Sequence, residues 1–257
     1  MAVSVTDKMP NYGYPAREMT EEDIQGIIAS FGQAARRVEA AGFDGVQIHG
    51  AHGYLVSQFL TPRSNLRQDK WGGNLENRMR FVVEVVRSIK QTVSSDFPVM
   101  IKLACRDYLD EGVGLTIEEG AQVAQTLEKE GVSLIEISNG SQDDSYRKKR
   151  LGITSPQKED YYMNDARLVR EKTSGPLSIV GGMRSLPVME NVINSGVADC
   201  ISICRPLIRE PDLINRWQQG DARPADCISC GGCFNVAEDG KMSIYCRQLL
   251  KKQAITS

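Results

Sequence analysis

Histidine is nearly absent from this chain, with two residues in 257. Charge of one sign is not in excess either, because 31 Lys and Arg face 33 Asp and Glu. That balance gives no electrostatic reason to expect nucleic acid or an anionic membrane as a partner. No apolar run approaches the roughly 18 residues that suggest a membrane span. The opening "MAVSVTDKMPNYGYP" lacks the basic-then-apolar layout of a signal peptide. The expectation is a soluble, cytoplasmic chain. No G-x-G-x-x-G follows a predicted strand, which argues against a Rossmann domain. What remains is length enough for one large α/β domain or two small ones.

Cysteine is not scarce, but its seven residues make an odd count. Cys227, Cys230, Cys233 and Cys246 fall in one short window, "CISCGGCFNVAEDGKMSIYC". A disulfide framework favours an even set spread along a small secreted chain, so tight C-x-x-C spacing points to metal instead. Four thiolates so spaced suit a [4Fe–4S] cluster or a structural zinc, with unligated thiols as the plain alternative. Cys105, Cys200 and Cys204 are expected to pack rather than to ligate.

Helical and strand patterns alternate along the rest. Thr20 with Asp23 opens a helix as a capping box, and Ile24, Ile27, Ile28 and Phe31 follow helical spacing up to Gly42. "FDGVQIHG" reads as a strand, "ENRMRFVVEVVRSIKQTV" as a helix and "FPVMIKLA" as a second strand. Thr116 with Glu119 opens the next helix, followed by the strand "SLIEISNG" and a polar loop over residues 141–163. Helices over about 165–172, 186–194 and 212–218 then alternate with the strands "LSIVGG" and "DCISICRPL". Such alternation predicts a parallel sheet covered by helices, as a (β/α)8 barrel or an open doubly wound sheet. A barrel needs eight strands, and five are predicted.

Both histidines stand in "VQIHGAHGYL", at the end of the first of these strands. On a strand, Gln47 and His49 point one way and Val46 and Ile48 the other. If the apolar pair packs on helices, His49 faces a barrel interior at its C-terminal end, where barrel active sites sit. Gly50 and Gly53 let the chain turn, so His52 and Tyr54 can converge on His49. Two imidazoles can donate hydrogen bonds to a carbonyl or nitro oxygen, and a phenol beside them can deliver a proton. The plain alternatives are histidines satisfied by neighbouring backbone, or a zinc pair without an evident third ligand. Lys102 alternates with Ile101 and Leu103 and is expected to point inward; the alternatives are a solvent-facing lysine or a Schiff-base lysine. Barrels commonly bind phosphate at the last two strand-to-loop junctions, here "IVGGMRS" and "ISICRPLIREPDL". Gly181 and Gly182 permit close backbone approach there, and Arg205 offers a positive fork. "YRKKR", residues 146–150, reads as a solvated charge run over the pocket mouth, with contact to an anionic acceptor such as a CoA phosphate as the alternative.

The run "GFDGVQIHGAHGYLVSQFLTPRSNLRQDKWGGNLENRMRF" resembles the central signature of the old yellow enzyme family of FMN-dependent oxidoreductases. The branch is the bacterial one that includes 2,4-dienoyl-CoA reductase, and the resemblance extends from "GYPAREMT" to "CISCGGCF". It implies a TIM-barrel fold and NAD(P)H-driven reduction of activated C=C bonds in enones or enoyl- and dienoyl-type small molecules. It also implies that His49 and His52 hold the substrate's electron-withdrawing oxygen and that Tyr54 donates the proton, while hydride comes from FMN. By the same resemblance, Lys102 takes a position, usually arginine, near the flavin's N1 and C2 carbonyl. Gly181, Gly182, Arg184, Cys204 and Arg205 take the FMN phosphate. The tail resembles that branch's [4Fe–4S] segment, which usually has one more residue between its second and third cysteines.

The resemblance makes the five strands equivalent to family strands four to eight. Strands one to three, and the C-terminal pyridine-nucleotide domains of the dienoyl-CoA reductase branch, have no counterpart in it. Residues 1–222 are therefore expected to form a partial FMN-binding barrel, and residues 223–257 a Cys-rich tail. An open five-stranded sheet leaves an unpaired edge and one side of a flavin uncovered. Completion by another chain or a homo-oligomer would answer that. Two other expectations stay open: a non-catalytic remnant that keeps the motifs, and a metal-binding interaction module built on the tail.

Overall fold

The computed structural model describes residues 2–6, 16–109, 113–140, 148, 150–236 and 242–250. Two short strands, β1 (Ala2–Ser4) and β2 (Ala16–Glu18), pair in parallel at the start. Then come α1 (Glu21–Ala40), β3 (Val46–Gly50), α2 (Leu55–Leu60), α3 (Leu75–Thr92), β4 (Val99–Ala104), α4 (Ile117–Lys129) and β5 (Leu134–Ser138). A 3-10 turn, Pro156–Lys158, precedes α5 (Met163–Arg170), β6 (Leu177–Val180), α6 (Leu186–Asn194) and β7 (Cys200–Ser202). The remaining elements are α7 (Arg205–Arg209), α8 (Leu213–Gln218), β8 (Phe234–Val236) and β9 (Met242–Ile244). The main sheet has five strands in the order β3-β4-β5-β6-β7. The chain divides into two compact units, residues 1–143 with 164–178 and residues 144–163 with 179–257, so the boundary falls inside β6.

The expected strand–helix alternation is therefore present, and its boundaries have local causes. Both capping boxes form, with Thr20 accepting from the Asp23 amide and Thr116 from the Glu119 amide. Two helices and two pairs of short strands were not expected. Helices α2 and α7 have six and five residues, too few to display a helical period in the sequence. The β1–β2 pair and the β8–β9 hairpin are three-residue strands without a readable alternation. Among the described residues no helix is long and apolar enough to cross a membrane.

In the first unit, β3, β4 and β5 run parallel in a register that determines everything near the site. Ile48 lies opposite Ile101 and Ile101 opposite Ile135, making one apolar row across three strands. All three are buried, each contributing roughly 1.5–3 kcal/mol. The next row is His49, Lys102 and Glu136. Because strand side chains alternate, this polar row projects from the opposite face. Helix α3 packs Phe81, Val82, Val85, Val86 and Ile89 inward, and Phe81 stacks on Phe59 of α2 at 4.1 Å.

The "WGGNLENR" run fastens the loop that leaves β3. The Trp71 indole donates to Glu21 Oε2 at 2.7 Å, and Asn65 donates to the Phe59 and Trp71 carbonyls, both at 2.7 Å. Asn74 caps α3 by accepting from the Asn77 amide at 2.9 Å. Buried Arg78 donates to the Gly73 carbonyl at 3.1 Å and also binds the Leu60 carbonyl and Glu119, joining α2, α3 and α4. A buried guanidinium is tolerable only when it is satisfied in this way.

Helix α4 meets the end of β4 at Gly120, where an added Cβ would stand 1.8 Å from the Cys105 carbonyl oxygen. Backbone on both sides leaves little room to yield. Gly120→Ala is expected to destabilise the chain by about 1–3 kcal/mol or more through overpacking. Denaturant midpoints of the two proteins check this, and an unchanged midpoint would show that α4 is free to shift.

Candidate functional site

Three rings gather where β3 ends. The His49 and His52 ring centroids are 5.1 Å apart at 72°, and those of His49 and Tyr54 are 5.1 Å apart at 49°. The turn that permits this runs through two left-handed residues, His52 at φ 62° and Gly53 at φ 76°. A non-glycine residue at positive φ needs support. Here the His52 amide donates to the Asn139 carbonyl at 2.9 Å, and its Nε2 lies 2.8 Å from Ser138 Oγ. Tyr54 then begins α2 at its N-cap and stays 50% exposed.

His49 makes ring contacts, yet no described residue forms a hydrogen bond with its imidazole nitrogens. Partial burial pushes its pKa below the free-imidazole value, the Lys102 charge adds to that fall, and Glu136 opposes it. The ring is thus held neutral, with one N–H donor and one acceptor. Lys102 forms an ion pair with Glu136 in the same cross-strand row, and Gln47 Nε2 donates to the other Glu136 oxygen at 2.9 Å. Lys102 thus shares one face of the sheet with His49 and Glu136.

The second unit holds the residues expected at a phosphate. Gly182, Arg184, Cys204 and Arg205 line one cleft of about 370 Å³, together with Tyr161 and Ser202. Gly182 adopts φ 74°, and a Cβ there would stand 2.8 Å from the Tyr161 ring. Gly181 directly precedes it at φ 155°. The Arg184 guanidinium is already engaged, donating from Nε to the Ala225 carbonyl at 3.2 Å. Its amide donates to buried Glu159 at 2.8 Å. Arg184 therefore builds the cleft wall, and Arg205 is the cleft's better candidate for a cationic contact.

Cys227, Cys230, Cys233 and Cys246 line a second cavity of about 340 Å³ in this unit, with Arg205, Arg209 and Arg247 around them. Burial pushes the Cys233 thiol up, and the other three cysteines push in the same direction. Arg209 Nη1 lies 3.8 Å from Cys246 Sγ, and the Ser229 amide donates to Cys227 Sγ at 3.4 Å. Among the described residues no three His, Cys, Asp or Glu side chains converge as ligands of one metal ion.

Some expectations need correction. Cys105 is buried and its thiol is pushed up to about 12 by desolvation, as packing requires, but Cys200 and Cys204 are exposed. Cys200 opens a short outer strand and Cys204 caps a helix at the cleft, so neither has a core to fill. Within "YRKKR", residues 146, 147 and 149 lie outside the described residues, and Lys148 is exposed. Arg150 is not merely solvated: it binds the Tyr162 hydroxyl and stands 5.8 Å over the Tyr161 ring. Glu136, Ser138 and Tyr161 were not anticipated. Glu136 had a signal, being the one charged residue inside the apolar strand "SLIEIS".

The family model for the NADH:flavin oxidoreductase / NADH oxidase family matches residues 2–223. An NADH oxidase of Thermoanaerobacter brockii is 36% identical over 224 residues, covering 86% of this chain and 34% of that one. A solved 2-naphthoyl-CoA reductase in complex with 2-naphthoyl-CoA aligns at TM-score 0.76 and 32% identity, over 90% of this chain and 34% of the other. An old yellow enzyme homologue from Zymomonas mobilis aligns at TM-score 0.69 and 25% identity, over 89% and 64%. The chain spans between 32% and 54% of the first curated relatives it matches. These likenesses fit a barrel-type α/β arrangement of which this chain carries five strands.

The neutral state of His49 has a measurable consequence. Its folded pKa lies below the unfolded value of about 6.5, so on acidification the unfolded chain takes up this proton first. Stability should fall as pH drops through 6.5 toward the folded value. Urea midpoints across that window should show a shallower slope for His49→Gln; an identical slope would mean His49 is not held neutral.

Proposed function

This chain belongs to the NADH:flavin oxidoreductase / NADH oxidase family, and we propose that it is an FMN-dependent, NAD(P)H-oxidising reductase. Its substrates on this reading are small molecules with activated C=C bonds, of the enone, enoyl or dienoyl type. The observation that carries the proposal is the gathering of His49, His52 and Tyr54 at the end of β3, in line with Lys102 on the next strand. Two likenesses support the reaction class: the Zymomonas mobilis neighbour is an old yellow enzyme homologue, and the naphthoyl-CoA neighbour is a reductase.

FMN, once reduced by NAD(P)H, supplies hydride in such chemistry. This chain's residues would do the rest. A neutral His49 donates a hydrogen bond to the oxygen that withdraws electrons from the double bond, stabilising charge as it develops there. His52, fixed by Ser138 and Asn139, holds the second side of that oxygen. The half-exposed Tyr54 phenol delivers a proton to the carbon alpha to it. Lys102 would supply a charged contact to the flavin ring. The Gly181–Gly182 backbone and Arg205 would offer amides and a cation suited to a phosphate.

The residues of the tail also fit a group. Each iron of a [4Fe–4S] cluster takes a single thiolate, so four cysteines around one cavity need not converge on one point. A tetrahedral zinc needs all four within one coordination sphere. The three arginines beside these cysteines would offset the negative charge of such a cluster, with a structural zinc as the alternative. On this reading residues 1–222 are the flavin segment, residues 223–257 the cluster tail, and the enzyme is cytoplasmic.

Two measurements test the proposal. Tyr54→Phe should slow enone reduction by about 10²-fold or more, while flavin reduction by NAD(P)H stays within about twofold of wild type. Equal losses in both half-reactions would remove the proton-donor role. Anaerobic reconstitution should load iron and acid-labile sulfide in equal amounts, and Cys230→Ala should abolish the loading. Uptake of one zinc without sulfide would contradict the cluster.

A further inference from the structure

The polar row of the sheet contains a residue that the proposed chemistry does not use. Glu136 has a side chain only 6% exposed, and its partner Lys102 is 21% exposed. Both carboxylate oxygens are committed, one to the Lys102 ammonium and the other to Gln47 Nε2 at 2.9 Å. The partners come from two different strands, Lys102 from β4 and Gln47 from β3, while Glu136 itself stands on β5. An ionised carboxylate this deep is costly unless paired and hydrogen-bonded. Here it has both, at the row that also carries His49.

We propose that Glu136 is a positioning residue of this site. From β5 it fixes the Lys102 ammonium beside His49 and cancels its charge, so that the face meant for the flavin ring is neutral rather than cationic. The inference rests on the flavin reading of the site. A free ammonium at this place would favour an anionic reduced ring. The ion pair withholds that help and keeps the reduced ring a stronger hydride donor. Among the described residues, few charged or titratable groups face His49. Lys102 comes from β4, Glu136 from β5, and the His52 and Tyr54 rings from the turn after β3.

Because the chain has two histidines, proton NMR can follow both imidazoles through a pH titration without cofactor. Glu136→Gln keeps the shape and an acceptor oxygen for Gln47 but removes the charge. The His49 midpoint should fall in this variant and rise in Lys102→Gln. In the double variant K102Q/E136Q it should return toward wild type. The double variant leaves no buried charge unpaired, so it remains informative if Glu136→Gln fails to fold. An unmoved His49 in the folded single variant, or a double variant that departs further from wild type than Lys102→Gln, would overturn the proposal. With FMN bound, Glu136→Gln should raise the flavin midpoint potential, and an unchanged potential would overturn the charge cancellation. Failure of the wild type to bind FMN would instead remove the flavin reading, and the histidine titration would still decide the role of Glu136.

Discussion

The parallel register of β3, β4 and β5 is the constraint on which the candidate site depends. It sets Ile48, Ile101 and Ile135 in one buried row and His49, Lys102 and Glu136 in the next. A slip of one residue in any of these strands would turn a polar or charged side chain into the core and an isoleucine out of it. The apolar row therefore enforces the polar one. With the register held, the Lys102–Glu136 pair can form in a half-buried place where either charge alone would be expensive. His49 then sits beside an ion pair rather than a bare charge, and partial burial above all holds its pKa down. The turn after β3 brings His52 and Tyr54 to the same ring. Core packing, electrostatics and the convergence of three rings are consequences of one alignment of strands.

Much of this was legible in the residues because it depends on short-range rules. Side-chain alternation placed Gln47 and His49 on one face and Ile48 on the other. Capping boxes at Thr20 and Thr116 gave the starts of α1 and α4. The gathering of His52 and Tyr54 on His49 was expected from glycines at 50 and 53, although the left-handed residues of the turn are His52 and Gly53. Part of what could not be read is hidden by distance along the chain, and part by the shortness of the elements. Glu136 lies 34 residues from Lys102 and 89 from Gln47, so its meaning appears only once the register is known. Arg184 looked like a phosphate ligand, yet a carbonyl 41 residues on claims its guanidinium. Cys200 and Cys204 looked like small core residues, but their strand and helix are too short to bury them.

The second unit shows the same economy with cations. Arg205 lines both the cleft suited to a phosphate and the cavity that holds the four cysteines, and Cys227 also borders both. A guanidinium has donors enough to face two anionic groups at once. Arg209 adds a contact to Cys246 and stands 3.7 Å from Asp226, so its charge is shared between a thiol and a carboxylate. Burial and the neighbouring cysteines push the Cys233 thiol up, and the Arg205 charge opposes that rise. These shared cations also explain why Arg184 can be spent on structure without leaving the cleft uncharged.

The central claim is that this chain carries a site for FMN. The most direct test is an equilibrium titration of the purified chain with FMN, followed by quenching of flavin fluorescence, with riboflavin titrated in parallel. The account predicts saturable quenching by FMN and weaker binding of riboflavin, which lacks the phosphate. Quenching that never saturates with either flavin would contradict it.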